Sequence, residues 1–315
     1  MKLINDILTR KEFAEKPPVL IDIGASEGIH NKWKEIAKYS ICIAFDADQR
    51  DFSFTTKESA GYKKLISYNC IVTEDQGSEF DFYLTQSPYC SSLLKPDNES
   101  LKAWAFSEKF NVLKAKKIKT KSLQEVFAEQ KFNYLDWFKS DSQGTDLRLF
   151  KSLGQDIIKK VLSVELEPGI IDSYHGEDKI SMVLSFMNEN NFLLSEMNVK
   201  GSQRITTETL NLLSKNKFFQ KFIHHSHKSS PGWAELFYIN NQISQLEIRE
   251  HFLGWIIAVL QKQYGYSFEI AESGFKKFEE PLFNEMKDKS IYLIKSNLFK
   301  IKFLPSAFVK LRKSL

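Results

Sequence analysis

Cysteine is scarce in this sequence, and the three that occur, Cys42, Cys70 and Cys90, lie far apart. No two of them have the spacing of a metal-binding pair, and an odd number argues against a framework of disulfides. The pattern excludes a disulfide-stapled secreted scaffold and predicts a reducing compartment.

Long apolar segments are also missing. The N-terminal residues lack the apolar core and the cleavage site of a signal peptide. The longest apolar stretch, FLGWIIAVL at 252–260, has about half the length that a membrane-spanning helix needs. We therefore expect a cytoplasmic protein.

A large excess of charge of one sign is absent as well, because the net charge is only +4. Basic residues concentrate in one place, residues 291–315, which contain six lysines or arginines and no acidic residue. Because nucleic-acid-binding proteins spread basic charge over a face, we expect no nucleic-acid partner. The tail fits a C-terminal helix with solvated lysines, which we favour, or peripheral contact with the inner face of a membrane.

What the sequence does contain is an alternation of short apolar segments with amphipathic ones between residues 18 and 240. Strands are predicted at 18–24, 41–48, 64–72, 133–141, 160–168, 192–199 and 234–240. Helices are predicted at 27–39, 122–130, 144–154 and 177–191, and a small hairpin at 77–84. This order predicts an α/β fold with a mostly parallel sheet and helices on both faces.

A polar insert of about thirty residues, 200–232, separates the last two predicted strands. It contains His224, His225 and His227, which either bind a metal or a phosphate-bearing acceptor or form a solvated loop, and we favour the loop. Residues 241–315 predict a helical extension.

The stretch VLIDIGASEGIH, residues 19–30, ends a predicted strand in a glycine turn. The spacing of Gly24 and Gly28 matches neither a dinucleotide fingerprint nor a P-loop. Asp22 would repel phosphate but suits a positively charged ligand, and Asp46 at the end of the second strand could bind both hydroxyls of a ribose. The pair favours S-adenosylmethionine over a simple turn in which Asp22 caps a helix.

The same stretch, with Ser26 where asparagine is usual, resembles the D-x-G-A-N-x-G motif of the FkbM family of S-adenosylmethionine-dependent methyltransferases. AFDAD at 44–48 resembles the acidic end of that family's second strand, with Asp46-Ala47 in place of Glu-Pro. The resemblance covers roughly residues 15–240. It implies the seven-stranded, Rossmann-like sheet of class I methyltransferases.

A third match lies at 135–154, LDWFKSDSQGTDLRLFKSLG, which resembles the family's K-I-D-x-E-G-x-E-x-x-x-L-x-G motif. Lys139, Asp141 and Gly144 keep the pattern, whereas Gln143 and Asp146 depart from it. These departures indicate a divergent member of the family and leave its acceptor open.

The residues and the resemblance together predict a site at the carboxyl ends of the strands. The cofactor-binding candidates are Asp22, Gly24, Ala25, Ser26, Glu27, Gly28, Asp46, Ala47 and Ile71. The catalytic candidates are Asp141, at the end of the fourth strand, Glu165 on the fifth, and His175 in a loop. For Asp146, capping of the following helix and a functional role are equally weighted. The 87–97 loop, SPYCSSLLKPD, is a candidate lid over the cofactor. A divalent metal is compatible with this chemistry but is not predicted.

The resulting prediction is a methyltransferase domain at 1–240 that transfers a methyl group from S-adenosylmethionine to a hydroxyl. The resemblance implies a sugar, surface polysaccharide, glycolipid or small-molecule acceptor, and a lipid-linked or phosphorylated one would suit the basic tail. The alternatives are an N- or nucleic-acid methyltransferase, which the missing N-P-P-[YF] tetrapeptide disfavours, and a non-catalytic adenosyl-binding module on the same fold.

Overall fold

The computed structural model describes residues 2–25, 30–46, 61–74, 79–226 and 228–298. The chain forms two compact units, Pro17–Asn240 and Met1–Lys16 with Asn241–Leu315. The first sixteen residues therefore group with the C-terminal helices.

The strands of the described residues are β1 (Val19–Ile23), β2 (Ile41–Phe45), β3 (Lys64–Tyr68), β4 (Ile71–Thr73), β5 (Glu79–Thr85), β6 (Val112–Ser122), β7 (Trp137–Ser140), β8 (Ser163–Leu166), β9 (Phe192–Ser202) and β10 (Ser230–Asn240). The α-helices are α1 (Lys2–Leu8), α2 (Lys11–Glu15), α3 (Asn98–Leu101), α4 (Leu123–Gln130), α5 (Asp146–Lys151), α6 (Gln155–Ile158), α7 (Ile180–Glu189), α8 (Thr207–Leu213), α9 (Lys217–Ser226), α10 (Ile248–Leu260), α11 (Tyr264–Phe278) and α12 (Leu282–Leu298).

The larger unit is built on a seven-stranded sheet with the order β3-β2-β1-β7-β8-β10-β9. All neighbouring pairs are parallel except those of β10, which runs antiparallel to both β8 and β9. The predicted mostly parallel sheet is confirmed. Every residue of β1 is buried, as expected for a central strand that is covered on both faces. The strand order reverses between β1 and β7, which places a ligand crevice at their carboxyl ends.

Helix α4 shows how local sequence sets an element boundary. Ser122 accepts a hydrogen bond from the Glu125 backbone N–H, and the Glu125 side chain accepts one from the Ser122 N–H. This reciprocal capping box satisfies two donors that the first helical turn would otherwise leave free. The helix predicted at 122–130 therefore begins where its serine indicated.

Four local predictions were wrong. The loop favoured for the insert histidines is helix α9 as far as Ser226, and the helix predicted at 27–39 is not a continuous α-helix either. Within 30–39 the chain forms only two single-turn 3-10 helices, Asn31–Trp33 and Ala37–Tyr39. Trp33 and Ile36 are both buried, and their separation of three residues matches the three-residue turn of a 3-10 helix. Residues 27–29 lie outside the described residues.

The predicted strand 64–72 is in fact two strands in different sheets. It breaks after β3, where the Asn69 side chain donates a 3.0 Å hydrogen bond to the Asp46 carbonyl. β4 then joins a three-stranded sheet with the order β4-β6-β5. β5 pairs with the distant β6 and forms no local hairpin at 79–84, while 77–78 lie outside the described residues.

The smaller unit has its own core, formed between its helices. Phe252 of α10 stacks on Phe283 of α12 with ring centres 4.8 Å apart. The Trp255 indole N–H donates a 2.9 Å hydrogen bond to the Ser290 hydroxyl. A Cβ on Gly274 would lie 2.4 Å from the Phe283 ring, so this glycine lets α11 and α12 pack closely. The helical character predicted after residue 240 is confirmed as far as Leu298.

Candidate active site

A cavity of about 510 Å³ lies at the carboxyl ends of β1, β2 and β7, where the strand order reverses. Gly24, Asp46, Ile71 and Asp141 line it, and residues 87–91 of the 87–97 loop form part of its wall. Its volume falls in the range of small-molecule and cofactor sites.

A second cavity of about 600 Å³ adjoins the first. Gly24, Tyr89, Asp141 and Glu167 line both, so the two spaces meet at these side chains. We call them the first and second cavities.

The glycine turn brings β1 and β7 together at this junction. Gly24 has φ +80°, and its N–H donates a 2.9 Å hydrogen bond to the Phe45 carbonyl. A Cβ at this position would lie 2.4 Å from the Asp141 carbonyl oxygen. The Asp141 N–H in turn donates a 3.0 Å hydrogen bond to the Ile23 carbonyl. Glycine is therefore needed here for close backbone approach as well as for the left-handed conformation.

The predicted cofactor residues divide between the two cavities. Gly24, Asp46 and Ile71 line the first, whereas Asp22, Gly24 and Ala25 line the second. The remaining four candidates, Ser26, Glu27, Gly28 and Ala47, lie outside the described residues.

Asp141 and Glu167 are neighbouring carboxyl groups where the two cavities meet. Burial raises the pKa of both groups. The charge of Asp146 raises the pKa of Asp141 further, and the charges of Asp141 and Asp146 raise the pKa of Glu167 further. Both side chains are half-buried and their charges repel each other, so ionising both is disfavoured and the pair retains a proton on Glu167. Asp141 is thereby left as a carboxylate whose proton affinity is raised toward neutral pH.

Asp146 holds the loop after β7 in place. Its buried Oδ1 accepts hydrogen bonds from the Ser140 hydroxyl at 2.6 Å, the Ser142 hydroxyl at 2.5 Å and the Ser142 N–H at 2.8 Å. Its Oδ2 accepts a 3.0 Å bond from the Glu167 N–H. Both carboxylate oxygens of Asp146 therefore accept hydrogen bonds from the protein itself, so this side chain is poorly placed to bind a ligand. The same bonds hold the backbone next to Asp141 and at Glu167.

A row of buried charges crosses three adjacent strands. Asp22 of β1, Lys139 of β7 and Glu165 of β8 occupy the same register position. The Lys139 ammonium donates a 2.5 Å hydrogen bond to Asp22. Burial disfavours the ammonium, but the Asp22 carboxylate outweighs that effect and raises the pKa of Lys139.

Glu165 completes that row beside His30. Its Oε2 lies 3.6 Å from His30 Nε2 in the wall of the second cavity. Burial raises the pKa of Glu165 to about 7 and lowers the pKa of His30 to about 4. The imidazole is therefore neutral near pH 7, and at 3.6 Å the two side chains are polar neighbours that form no ion pair.

The 87–97 loop is connected to Asp141 through two side chains. The Gln143 amide donates a 2.5 Å hydrogen bond to Asp141 Oδ1. The Tyr174 hydroxyl lies 3.1 Å from Gln143 Oε1 and 2.9 Å from the Cys90 carbonyl of the loop. The Ser92 hydroxyl donates a further 2.7 Å bond to the Gln143 carbonyl. Gln143, which departs from the family motif, thus orients the Asp141 carboxylate.

Among the histidine candidates, the structure describes only the side chain of His175. His175 lines neither cavity, and its side chain is 61% exposed with Nδ1 3.8 Å from Asp97. The side chains of His224 and His225, and all of His227, lie outside the described residues. Within those residues, no group of three histidine, cysteine or acidic side chains is placed to hold a metal ion.

The sequence argument chose Glu165 over Glu167 as a catalytic candidate and gave Lys139 no role in the site. Glu165 and Glu167 are two residues apart on the fifth predicted strand, and this spacing directs both side chains to the same face of the sheet, where both line the second cavity. It does not show which of them reaches Asp141, since that depends on where β8 ends. Lys139 matched the family motif, but its ion pair could not be predicted. Its partner Asp22 lies 117 positions earlier in the chain, and only the pairing of β1 with β7 brings the two side chains together.

The sheet order and the site at its strand reversal define a class I methyltransferase fold. The family model described as the Methyltransferase FkbM domain matches residues 22–194, which is more than half of the chain. The chain belongs to the FkbM methyltransferase family. Searches of curated proteins and of solved structures found no match.

Proposed function

We propose that this methyltransferase uses S-adenosylmethionine and transfers its methyl group to a hydroxyl of a sugar, glycan or related small molecule. The observation that carries the proposal is the Asp141–Glu167 carboxyl pair, which lies where the two cavities meet. Methyl transfer to oxygen needs a base for the hydroxyl proton, and a carboxylate with a raised pKa supplies one.

Three features of the first cavity support an adenosyl ligand there. Asp46 stands at the end of β2, where a carboxylate can accept hydrogen bonds from both ribose hydroxyls. Ile71 and Phe45 offer apolar surface for a base, and the Gly24 turn allows a ligand to approach the backbone. When bound, S-adenosylmethionine supplies a methyl group that its sulfonium sulfur activates for displacement.

The chain's own contribution is positioning and proton removal. Asp141 accepts the proton of the attacking hydroxyl, while the Gln143 amide keeps its carboxylate oriented. The Glu167 proton keeps the pair singly charged before transfer. Because the leaving group is already activated, we expect most of the remaining acceleration to come from holding the reacting groups in line.

The second cavity supports a hydroxyl-rich acceptor. Glu165, Glu167 and Glu235 line it together with the polar side chains of His30 and Asn31. Lys34 and Lys139 line this cavity too, so carboxyl and ammonium groups together offer acceptors and donors to sugar hydroxyls. Because the acidic side chains outnumber the two lysines, we propose that the methylated part of the acceptor is neutral and that any phosphate or lipid anchor lies outside this wall.

The experiment compares Asp141→Asn with wild type for cofactor binding and for methyl transfer. We expect calorimetry to show retained S-adenosylmethionine binding, and transfer of labelled methyl to a glycan and monosaccharide pool to fall by about 100-fold or more. Asp156→Asn, an exposed carboxylate on α6, is the matched control and should keep full activity.

Full transfer by Asp141→Asn would remove Asp141 as the base. Wild-type binding without transfer to any pool would favour the non-catalytic adenosyl-binding module. Transfer to amines or nucleic acid alone would contradict the hydroxyl acceptor.

A further inference from the structure

The insert between β9 and β10 forms a short helical hairpin, which we define as residues 207–226, the span of α8 and α9. It presents large apolar side chains to solvent. Leu212 is 87% exposed, Phe218 81% and Phe222 62%, and Leu213 and Phe219 are also exposed. Patches of this kind on a protein surface mark interaction sites.

The inner side of the insert hairpin is polar. Gln220 is buried, and its amide donates hydrogen bonds to Asn211 Oδ1 at 2.8 Å and to the Ser214 carbonyl at 2.7 Å. Asn216 Oδ1 accepts a 2.9 Å bond from the Phe218 N–H at the start of α9. These bonds join the two helices while α9 directs its phenylalanines outward. The usual arrangement, in which an amphipathic helix turns its apolar face inward, is thus reversed.

The charge around this apolar surface has one sign. Lys215, Lys217, Lys221 and Lys228 are exposed, and no acidic residue occurs between Glu208 and Glu235. Within the described part of the chain, none of these four lysines forms an ion pair. Aromatic residues flanked by lysines are typical of helices that lie in the interface of an anionic bilayer.

We propose that the insert hairpin docks this protein on the surface of an anionic lipid membrane. The exposed phenylalanines and leucines would enter the boundary between headgroups and acyl chains, and the lysines would contact lipid phosphates. The contact is peripheral, since no helix among the described residues is long and apolar enough to cross a membrane. This inference does not depend on methyl transfer, and it concerns a segment distinct from the basic tail.

The test measures sedimentation of the full chain with vesicles of phosphatidylcholine alone and of phosphatidylcholine with phosphatidylglycerol. We expect wild type to bind the anionic vesicles and Phe218→Ser/Phe222→Ser to bind them at least tenfold more weakly. Lys217→Glu/Lys221→Glu should lose the preference for anionic lipid. Because all four side chains are exposed, the melting temperature of each variant should stay unchanged.

Two controls separate this surface from others. Leu113→Ser/Met182→Ser removes exposed apolar side chains elsewhere in the same unit and should bind like wild type. Lys310→Glu/Arg312→Glu/Lys313→Glu reverses charge in the tail and should keep most of the binding.

The proposal is overturned if wild type does not sediment with anionic vesicles, which would leave a protein partner as the occupant. It is equally overturned if the double phenylalanine variant binds like wild type, or if only the tail variant loses binding. Equal binding to neutral and anionic vesicles would contradict the assigned charge selectivity.

Discussion

Replacing Lys139 with methionine tests whether the buried charge row stabilises the methyltransferase unit. Lys139 is the cation between Asp22 and Glu165 on neighbouring strands, and Asp22 is 2% exposed. The substitution keeps most of the side-chain volume but leaves the Asp22 carboxylate buried without its 2.5 Å partner.

The expected cost follows from that geometry. Breaking a buried ion pair on one side costs about 3–5 kcal/mol, because an uncompensated charge stays in the interior. The Lys139 side chain is 19% exposed, so water partly screens the pair and we expect about 3 kcal/mol. In an Asp22→Asn background the same substitution should cost about 1–2 kcal/mol less, since the isolated charge is gone.

The assay is urea unfolding followed by tryptophan fluorescence, since four of the five tryptophans lie in this unit and two of them, Trp33 and Trp137, are fully buried there. The loss in Lys139→Met should also shrink as the pH falls, because burial without a partner raises the pKa of Asp22 and protonation then neutralises it. A cost below about 1 kcal/mol, or equal costs in both backgrounds, would refute the reasoning.

Two further predictions concern the cavity walls. Burial raises the pKa of Glu165 to about 7, so the stability from its protonated form is complete below the unfolded pKa and is lost as pH rises through about 7. Melting curves between about pH 5 and about pH 8 should therefore show wild type losing on the order of 2 kcal/mol relative to Glu165→Gln, and parallel curves would contradict this. Gly24→Ala would place a Cβ 2.4 Å from the Asp141 carbonyl oxygen. We expect it to lower stability by about 1–3 kcal/mol and to weaken cofactor binding in calorimetry, and an unchanged melting temperature would count against the close approach.

The central strands could be predicted because burial on both faces leaves a direct mark on the sequence. β1 and β2 are short apolar runs with an acidic residue near the carboxyl end, Asp22 within β1 and Asp46 directly after β2, and both are interior strands of the sheet. β6 was missed for the opposite reason. Its sequence, VLKAKKIKTKS, is mostly exposed and rich in lysine, so it lacks the apolar pattern that identifies a strand.

The site could be predicted in part because parallel strands bring their carboxyl ends to one edge. Asp46 and Asp141 each end a predicted strand, and both line the first cavity. The partnership of Asp141 with Glu167 could not be predicted, since it depends on the bend after β8 and on the Asp146 contacts that fix it. Local sequence determines which residues stand at the sheet edge, and tertiary packing determines which of them touch.

Titration calorimetry of S-adenosylmethionine into the folded full chain and into Asp46→Ala tests the central proposal most directly. We predict binding to wild type and at least tenfold weaker binding to Asp46→Ala, because the variant loses the carboxylate proposed to hold the ribose. No heat of binding with folded wild type, or equal affinity in the two proteins, would contradict the assignment of the first cavity as the cofactor site.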